Sequence, residues 1–272
     1  MKHFSYLLLL PVILMGCHGS SAPAPAEPQK TADDVPVIDY KVVQKLPHDT
    51  NSFTEGFLVH DNQLFESSGA PQELPATKSV LGSVDPKTGK ILKKAEIDRN
   101  TYFGEGIIFI NGQVFQLTYK NQICFVYDAK TYKKLKQYTY ANKEGWGLTT
   151  DGKYIIMSDG TYILTYIDPA TFKVVKTLQV SANGFAVDNV NELEYVKGYI
   201  YANIWPTNRI IKIDTSDGHV VGKMDLTPLK EEALQKYPRS LETNGIAYDS
   251  VANKMYVTGK LWPTIYQIDI AN

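Results

Sequence analysis

The sequence predicts an all-β fold, a five-bladed β-propeller closed by a strand from the N-terminal end. Three observations predict it. A short phrase, a hydrophobic strand ending in an acid, occurs five times: Ser83-Val84-Asp85, Val126-Tyr127-Asp128, Tyr166-Ile167-Asp168, Lys212-Ile213-Asp214 and Gln267-Ile268-Asp269. The copies are spaced by about 40 to about 55 residues, the period of propeller blades. Turn pairs recur at a fixed place inside each repeat, and the last repeat is one strand short.

Bulk composition agrees. The 272 residues carry a formal net charge of −1 and are 43% hydrophobic, enough for one large globular domain or two small ones. The charge balance excludes the basic excess of a nucleic-acid binder. Eighteen Tyr with scattered Gly and Pro suit a β protein with many turns.

In chain order, residues 1–16 read as a signal peptide. Lys2 and His3 precede an apolar run from Tyr6 to Leu14 that is too short for a spanning helix. Leu14-Met15-Gly16-Cys17 looks like a bacterial lipobox, so Cys17 is expected to be lipidated and to anchor the protein at the cell envelope, on its periplasmic or cell-surface face. Residues 17–35, rich in Ala, Pro and Ser, read as a flexible tether. The propeller is assigned to residues 36–272. Cys124, within Ile123-Cys124-Phe125-Val126, reads as a buried apolar residue with no disulfide partner.

Each repeat then divides into four strands. A first strand begins near Glu55, Glu105, Trp146, Asn191 or Asn244. A tight turn follows at Asp61-Asn62, Asn111-Gly112, Asp151-Gly152, Lys197-Gly198 or Ala252-Asn253, residue types that tolerate the positive φ of hairpin turns. A second strand leads outward, a third ends in the recurring Asp, and a fourth closes the blade. The final repeat stops at Asn272 without its fourth strand, which Val37–Val43 is expected to supply, removing an exposed edge. A β-sandwich would not repeat its strands in units of four.

The register predicts two rings at one mouth of the central channel. One comprises Glu55, Glu105, Trp146 (shifted by one residue), Asn191 and Asn244. The other lies seven residues beyond each turn: Gly69, Tyr119, Asp159, Trp205 and Lys260. Acids, amides and a lysine in a channel are costly unless they are paired or functional. For Glu55 and Asn244 the alternative is that they satisfy one another on the axis.

Six segments carry a resemblance: Phe53-Thr54-Glu55-Gly56-Phe57, Tyr102-Phe103-Gly104-Glu105-Gly106, Glu144-Gly145-Trp146-Gly147-Leu148, Asn191-Glu192-Leu193-Glu194-Tyr195, Asn203-Ile204-Trp205-Pro206 and Val257-Thr258-Gly259-Lys260-Leu261-Trp262-Pro263. In order and spacing they resemble the glutamine cyclotransferases, the plant- and bacterial-type glutaminyl-peptide cyclotransferases, across the whole domain. The resemblance implies a five-bladed propeller that converts N-terminal glutaminyl residues to pyroglutamyl with loss of ammonia. It implies Glu105 as the essential carboxylate, Asn191, Trp146, Trp205 and Lys260 as recess residues, and Phe53 and Phe103 as aromatic walls. Two positions depart from the pattern: Glu55 stands where Gln is usual, and Tyr119 where Trp is usual.

The reaction needs no nucleophilic side chain, because the substrate's own amine attacks its carboxamide. Glu105 is expected to relay the proton, Asn191 to orient the amide and Lys260 to stabilise the developing oxyanion. No cofactor is expected for catalysis, although family members can carry a structural metal ion in the channel. The expected substrates are peptides or proteins with N-terminal Gln, and the domain is expected to be monomeric, touching membrane through its lipid alone. Two other readings are a metal-dependent, lactonase-like propeller hydrolase and a non-catalytic envelope-binding propeller. His3, His18, His48, His60 and His219 are scattered and read mostly as surface or turn residues.

Overall fold

A computed structural model describes residues 34–270. The leader, Cys17 and almost all of the tether lie outside the described residues. The closing strand β1 (Tyr40–Pro47) comes first. Blade 1 comprises β2 (Phe53–His60), β3 (Gln63–Gly69), β4 (Val80–Val84) and β5 (Ile91–Glu96). Blade 2 follows as β6 (Gly104–Ile110), β7 (Gln113–Thr118), β8 (Ile123–Asp128) and β9 (Lys134–Thr139). Blade 3 is shorter-stranded: β10 (Leu148–Thr150), β11 (Ile155–Met157), β12 (Ile163–Ile167) and β13 (Val174–Gln179). A small hairpin, β14 (Ser181–Ala182) and β15 (Phe185–Ala186), precedes blade 4, which is β16 (Val190–Val196), β17 (Tyr199–Ile204), β18 (Arg209–Asp214) and β19 (Val220–Asp225). After the helix α1 (Thr227–Lys236) come β20 (Thr243–Asp249), β21 (Lys254–Gly259) and β22 (Thr264–Ile270).

Among the described residues these strands form five four-stranded antiparallel sheets, and β1 is the fourth strand of the last. The first strands β2, β6, β10, β16 and β20 neighbour one another in a cycle. That is the five-bladed ring. The closing strand begins later than the sequence suggests. Tyr40 pairs with Ile270 and Pro47 with Thr264. Val37 instead bridges to Lys223 of blade 4, and Ile38 N donates to Lys223 O at 2.7 Å. The segment before β1 therefore crosses from one blade to the next.

Local chemistry explains the repeated phrase. Asp85, Asp128, Asp168 and Asp214 each accept a backbone N–H of the following turn, from Lys87, Thr131, Thr171 and Ser216 at 2.7–2.9 Å. Such Asx turns join the third strand to the fourth. Asp269 has no such turn to make, because its fourth strand arrives from the other end of the chain. The hairpin prediction holds at three of the five pairs: Asp61 and Asn62 (φ 47° and 57°), Asn111 and Gly112 (51° and 72°), and Lys197 and Gly198 (49° and 90°) take the paired positive φ of type I′ turns, whereas at the other two only Gly152 and Asn253 have positive φ.

Burial grades outward along each blade. β4 and β6 are buried throughout, whereas β5, β9 and β13 at the rim are mostly exposed. The core consists of apolar layers between facing blades, with Leu81, Leu117 and Ile155 in one and Leu193, Ile200 and Ile213 in another. Two elements have no counterpart in the sequence reading, the β14–β15 hairpin and α1. The helix starts at a Pro in its first turn and buries Leu229 and Ala233 against blades 4 and 5.

His48 corrects the surface reading. It is buried, its Nδ1 lies 2.7 Å from Trp262 O, and its Nε2 lies 3.1 Å from Glu66 Oε2. His60 stacks on Phe109 with ring centroids 3.9 Å apart. Cys124 is buried, as expected.

Candidate active site

The first strands do not run straight past the axis. Their pairing slips at one place, between Thr54 and Gly56, Gly104 and Ile107, Val190 and Leu193, and Thr243 and Ile246. The residues inside these bulges include Glu55, Glu105, Asn191 and Asn244. A bulge re-aims a side chain out of the pleat, and here it directs the first ring toward the mouth. In blade 3 the strand starts only at Leu148, so Trp146 precedes it, held by Trp146 N to Ser158 O and Gly106 N to Trp146 O. This is the physical origin of the one-residue shift.

A Gly follows four of these five residues, because neighbouring blades touch there. A Cβ on Gly56, Gly106 or Gly147 would lie 2.8, 2.6 or 2.4 Å from backbone atoms of the next blade. The fifth position is Glu192. Its two carboxyl oxygens accept Phe57 N at 3.1 Å and Ile246 N at 2.9 Å, tying blade 4 to blades 1 and 5.

The nine side chains named with the family resemblance all line one basin of about 390 Å³, within the roughly 300–1,000 Å³ typical of small-molecule sites. Glu55, Glu105, Asn191 and Lys260 are its buried polar members. Lys260 Nζ donates to Glu55 Oε1 at 2.7 Å and lies 4.4 Å from the centroid of the Phe53 ring. Asn244 Nδ2 donates to Glu55 Oε2 at 3.1 Å and to Thr54 O. Phe53 and Phe103 meet edge to face with centroids 5.9 Å apart, and Tyr119 stands 5.9 Å beyond Phe103. Opposite, Trp146 and Trp205 meet edge to face at 6.0 Å.

Three ring members stand outside the basin lining. Asn244 donates to Glu55, so the mutual-satisfaction alternative holds for its Nδ2 but not for its Oδ1, which is buried without a partner among the described residues. Gly69 backs the Phe103 ring, 2.2 Å from where a Cβ would stand. Asp159 turns away, accepting from Asn142 Nδ2 and Thr161 Oγ1.

Glu105 makes no hydrogen bond to another described residue. Burial first, then the neighbouring Glu55 charge, hold its carboxyl well above the usual carboxylate range, with Lys260 opposing. Burial likewise raises Glu55, against the pull of Lys260, to about 7. Asn191 Oδ1 is buried without a partner among the described residues. A proton-hungry carboxyl, an ammonium, an unpaired amide oxygen and aromatic walls make a dry recess able to move one proton and hold one polar group.

A profile of the glutamine cyclotransferases matches residues 13–270, and a glutaminyl-peptide cyclotransferase of Arabidopsis thaliana is 40% identical over 236 residues, 86% of this chain and 72% of the relative. The chain belongs to the glutamine cyclotransferase family. The crystal structure of Myxococcus xanthus glutaminyl cyclase superposes with a TM-score of 0.78 at 29% identity, covering 86% of this chain and 98% of that one.

For a glutamine cyclotransferase the sequence reading misses three residues at the site. Pro71 and Glu73 enter the basin from the β3–β4 connection, which has no counterpart in the other repeats and so escapes a register argument. Glu144 accepts Trp146 Nε1 at 2.9 Å and lies 3.6 Å from Lys120 Nζ. Among the described residues no three His, Cys, Asp or Glu side chains are grouped to hold a metal ion, and the axial Glu192 has both oxygens engaged by backbone N–H.

Proposed function

We propose that the basin cyclises the N-terminal glutaminyl residue of peptides and proteins to pyroglutamyl and releases ammonia, with Glu105 as general base and then general acid. The observation that carries this reading is Glu105 itself, a buried carboxyl with raised proton affinity and no hydrogen-bond partner among the described residues. The attacking group is an α-amine, whose ordinary pKa is about 7.7–8.0. A carboxyl raised toward that range exchanges a proton with it at little cost.

The amine nitrogen attacks the γ-carboxamide carbon, and a new C–N bond closes the five-membered ring. Glu105 takes the proton the amine sheds and returns it to the amide nitrogen, which leaves as ammonia, so the protein ends unchanged. Asn191 orients the carboxamide through its open Oδ1. Lys260 faces the charge that develops on the carbonyl oxygen. The Trp146–Trp205 and Phe53–Phe103–Tyr119 walls fold the side chain toward its own amine and exclude water.

Family membership favours this reading over the metal-dependent hydrolase and the binding propeller. Incubation of the protein with a Gln-initiated dipeptide tests it: ammonia release and the matching mass loss are expected, and an intact peptide would reject the assignment. We also infer that residues 1–16 are removed and that a lipid on Cys17 holds the domain at a bacterial cell envelope. That inference rests on Cys17 standing where the apolar run ends, and the intact mass of the mature protein checks it.

A further inference from the structure

We propose that a second hollow beside the basin receives the residues that follow the glutaminyl, and that it favours an acidic side chain there. The inference rests on the cyclotransferase reading of the basin. Ring closure consumes both the α-amine and the side-chain carboxamide, so both must enter the recess. The substituent left on the same Cα is the carbonyl that leads to residue 2, and that residue must cross the rim.

On the Tyr119 side the rim opens into a hollow of about 200 Å³. It shares Pro71, Phe103 and Tyr119 with the basin. An extended chain advances about 3.3–3.6 Å per residue, so residues 2 and 3 of a peptide seated in the basin reach it.

The walls of the hollow are preformed. The Arg99 guanidinium donates to Pro71 O at 2.9 Å, Pro75 O at 3.0 Å and Thr77 O at 2.7 Å, which pins the β3–β4 connection. Asn121 Nδ2 donates to Thr101 O at 3.0 Å and joins the two turns on the other side. The charged residues lining the hollow are Arg99 and Lys120; the Asp98 carboxylate stands behind two lining residues, engaged by Asn100 N, Asn100 Nδ2 and Thr101 Oγ1, and Glu73 lines the adjoining basin. Glu144, 3.6 Å from Lys120, offsets part of that charge, but it stands toward Trp146, whose indole N–H it accepts. A peptide carboxylate over the hollow therefore meets two cations, and a peptide ammonium is repelled by them.

The test compares Gln-Ala-Ala with peptides carrying Glu or Lys at residue 2 or 3, at low ionic strength. At one of the two positions kcat/KM for Glu is expected to exceed that for Lys by roughly three- to tenfold, the scale of partly exposed charge pairs. High salt is expected to shrink the ratio. Lys120→Gln is expected to narrow the preference and Lys120→Glu to abolish or reverse it. Equal rates for all the peptides, or an unchanged preference in Lys120→Glu, would overturn the hollow as a subsite while leaving the cyclotransferase reading intact. Failure to cyclise even glutaminamide would reject that reading, and this inference with it.

Discussion

Lys260 and Glu55 form a buried ion pair 2.7 Å long at the floor of the basin, and Glu55 also accepts from Asn244. A pair taken out of water contributes little net stability, since desolvation offsets most of the attraction. Its effect here is local. It fixes the Lys260 ammonium in the site and sets beside Glu105 a second carboxyl that itself titrates at about 7. Glu55 is thus a second acid that makes Glu105 harder to deprotonate.

Glu55→Gln is therefore expected to lower the proton affinity of Glu105 by two routes. The repelling carboxylate is lost, and the Lys260 charge is no longer countered. The working base is the deprotonated Glu105, so the acid limb of the kcat/KM profile should move to lower pH. An unmoved limb would show that Glu55 does not set the proton affinity of the base.

Glu105→Gln is expected to fold normally and to lose roughly 10²-fold or more in kcat on a Gln-initiated peptide. Circular dichroism and an ammonia assay on the same preparation check both halves. Near-normal turnover would remove Glu105 from the mechanism.

Gly69→Ala probes the aromatic wall from behind. The added Cβ would lie 2.2–2.3 Å from two carbons of the Phe103 ring, so the ring must swing into the basin. A loss of about tenfold or more in kcat/KM is expected, since small misplacements in a positioning site are costly, with little change in melting temperature. Unchanged kinetics would mean that Phe103 is not a wall the substrate uses.

The His48–Glu66 pair joins the closing segment to blade 1 and should show in stability. Burial opposes the charged His48 ring, but the adjacent Glu66 carboxylate overrides it and raises the histidine. Burial would raise Glu66, but His48, Ser52 and Thr54 override that and lower it. The lowered Glu66 contributes above its ordinary 4.5 and loses that contribution as pH falls through its folded value. The raised His48 contributes below its ordinary 6.5 and loses that as pH rises through its folded value. Both act fully between those two ordinary values. His48→Ala should cost about 3–5 kcal/mol in that window, as expected for a buried pair that loses one partner, and less in alkali. Urea unfolding at pH 5.5 and at pH 9 measures the difference, and an equal cost at both would refute the charged pair.

The register of the repeat was enough to bring Glu105, Asn191, Trp205 and Lys260 into one basin, because propeller symmetry converts sequence position into angle and depth. It could not show the bulges that aim Glu55, Glu105 and Asn191, since a bulge is a defect in pairing with no fixed residue type: Gly follows Glu55 and Glu105, but Glu192 follows Asn191. Residues off the repeat were also beyond its reach. Glu73 sits in a connection without a counterpart, and α1 fills the linker between blades 4 and 5. His48 and Glu66, separate in sequence, meet because the closing strand delivers one to the other. Val37 bridges to blade 4 rather than blade 5, a choice of neighbour that the residue itself does not specify.

The pairing of Tyr40 with Ile270 has a consequence for biosynthesis. The strand that seals the ring leaves the ribosome before every blade, and its partner β22 follows all the other described strands. Until then β1 is an unmatched ribbon, and the seam between blades 5 and 1, which carries Lys260 and Glu55, does not exist. Contacts this distant along the chain form slowly. A copy that stops before β22 would leave β1 unpaired and blade 5 with two strands, so the seam that brings Lys260 to Glu55 would lose the sheet that closes it.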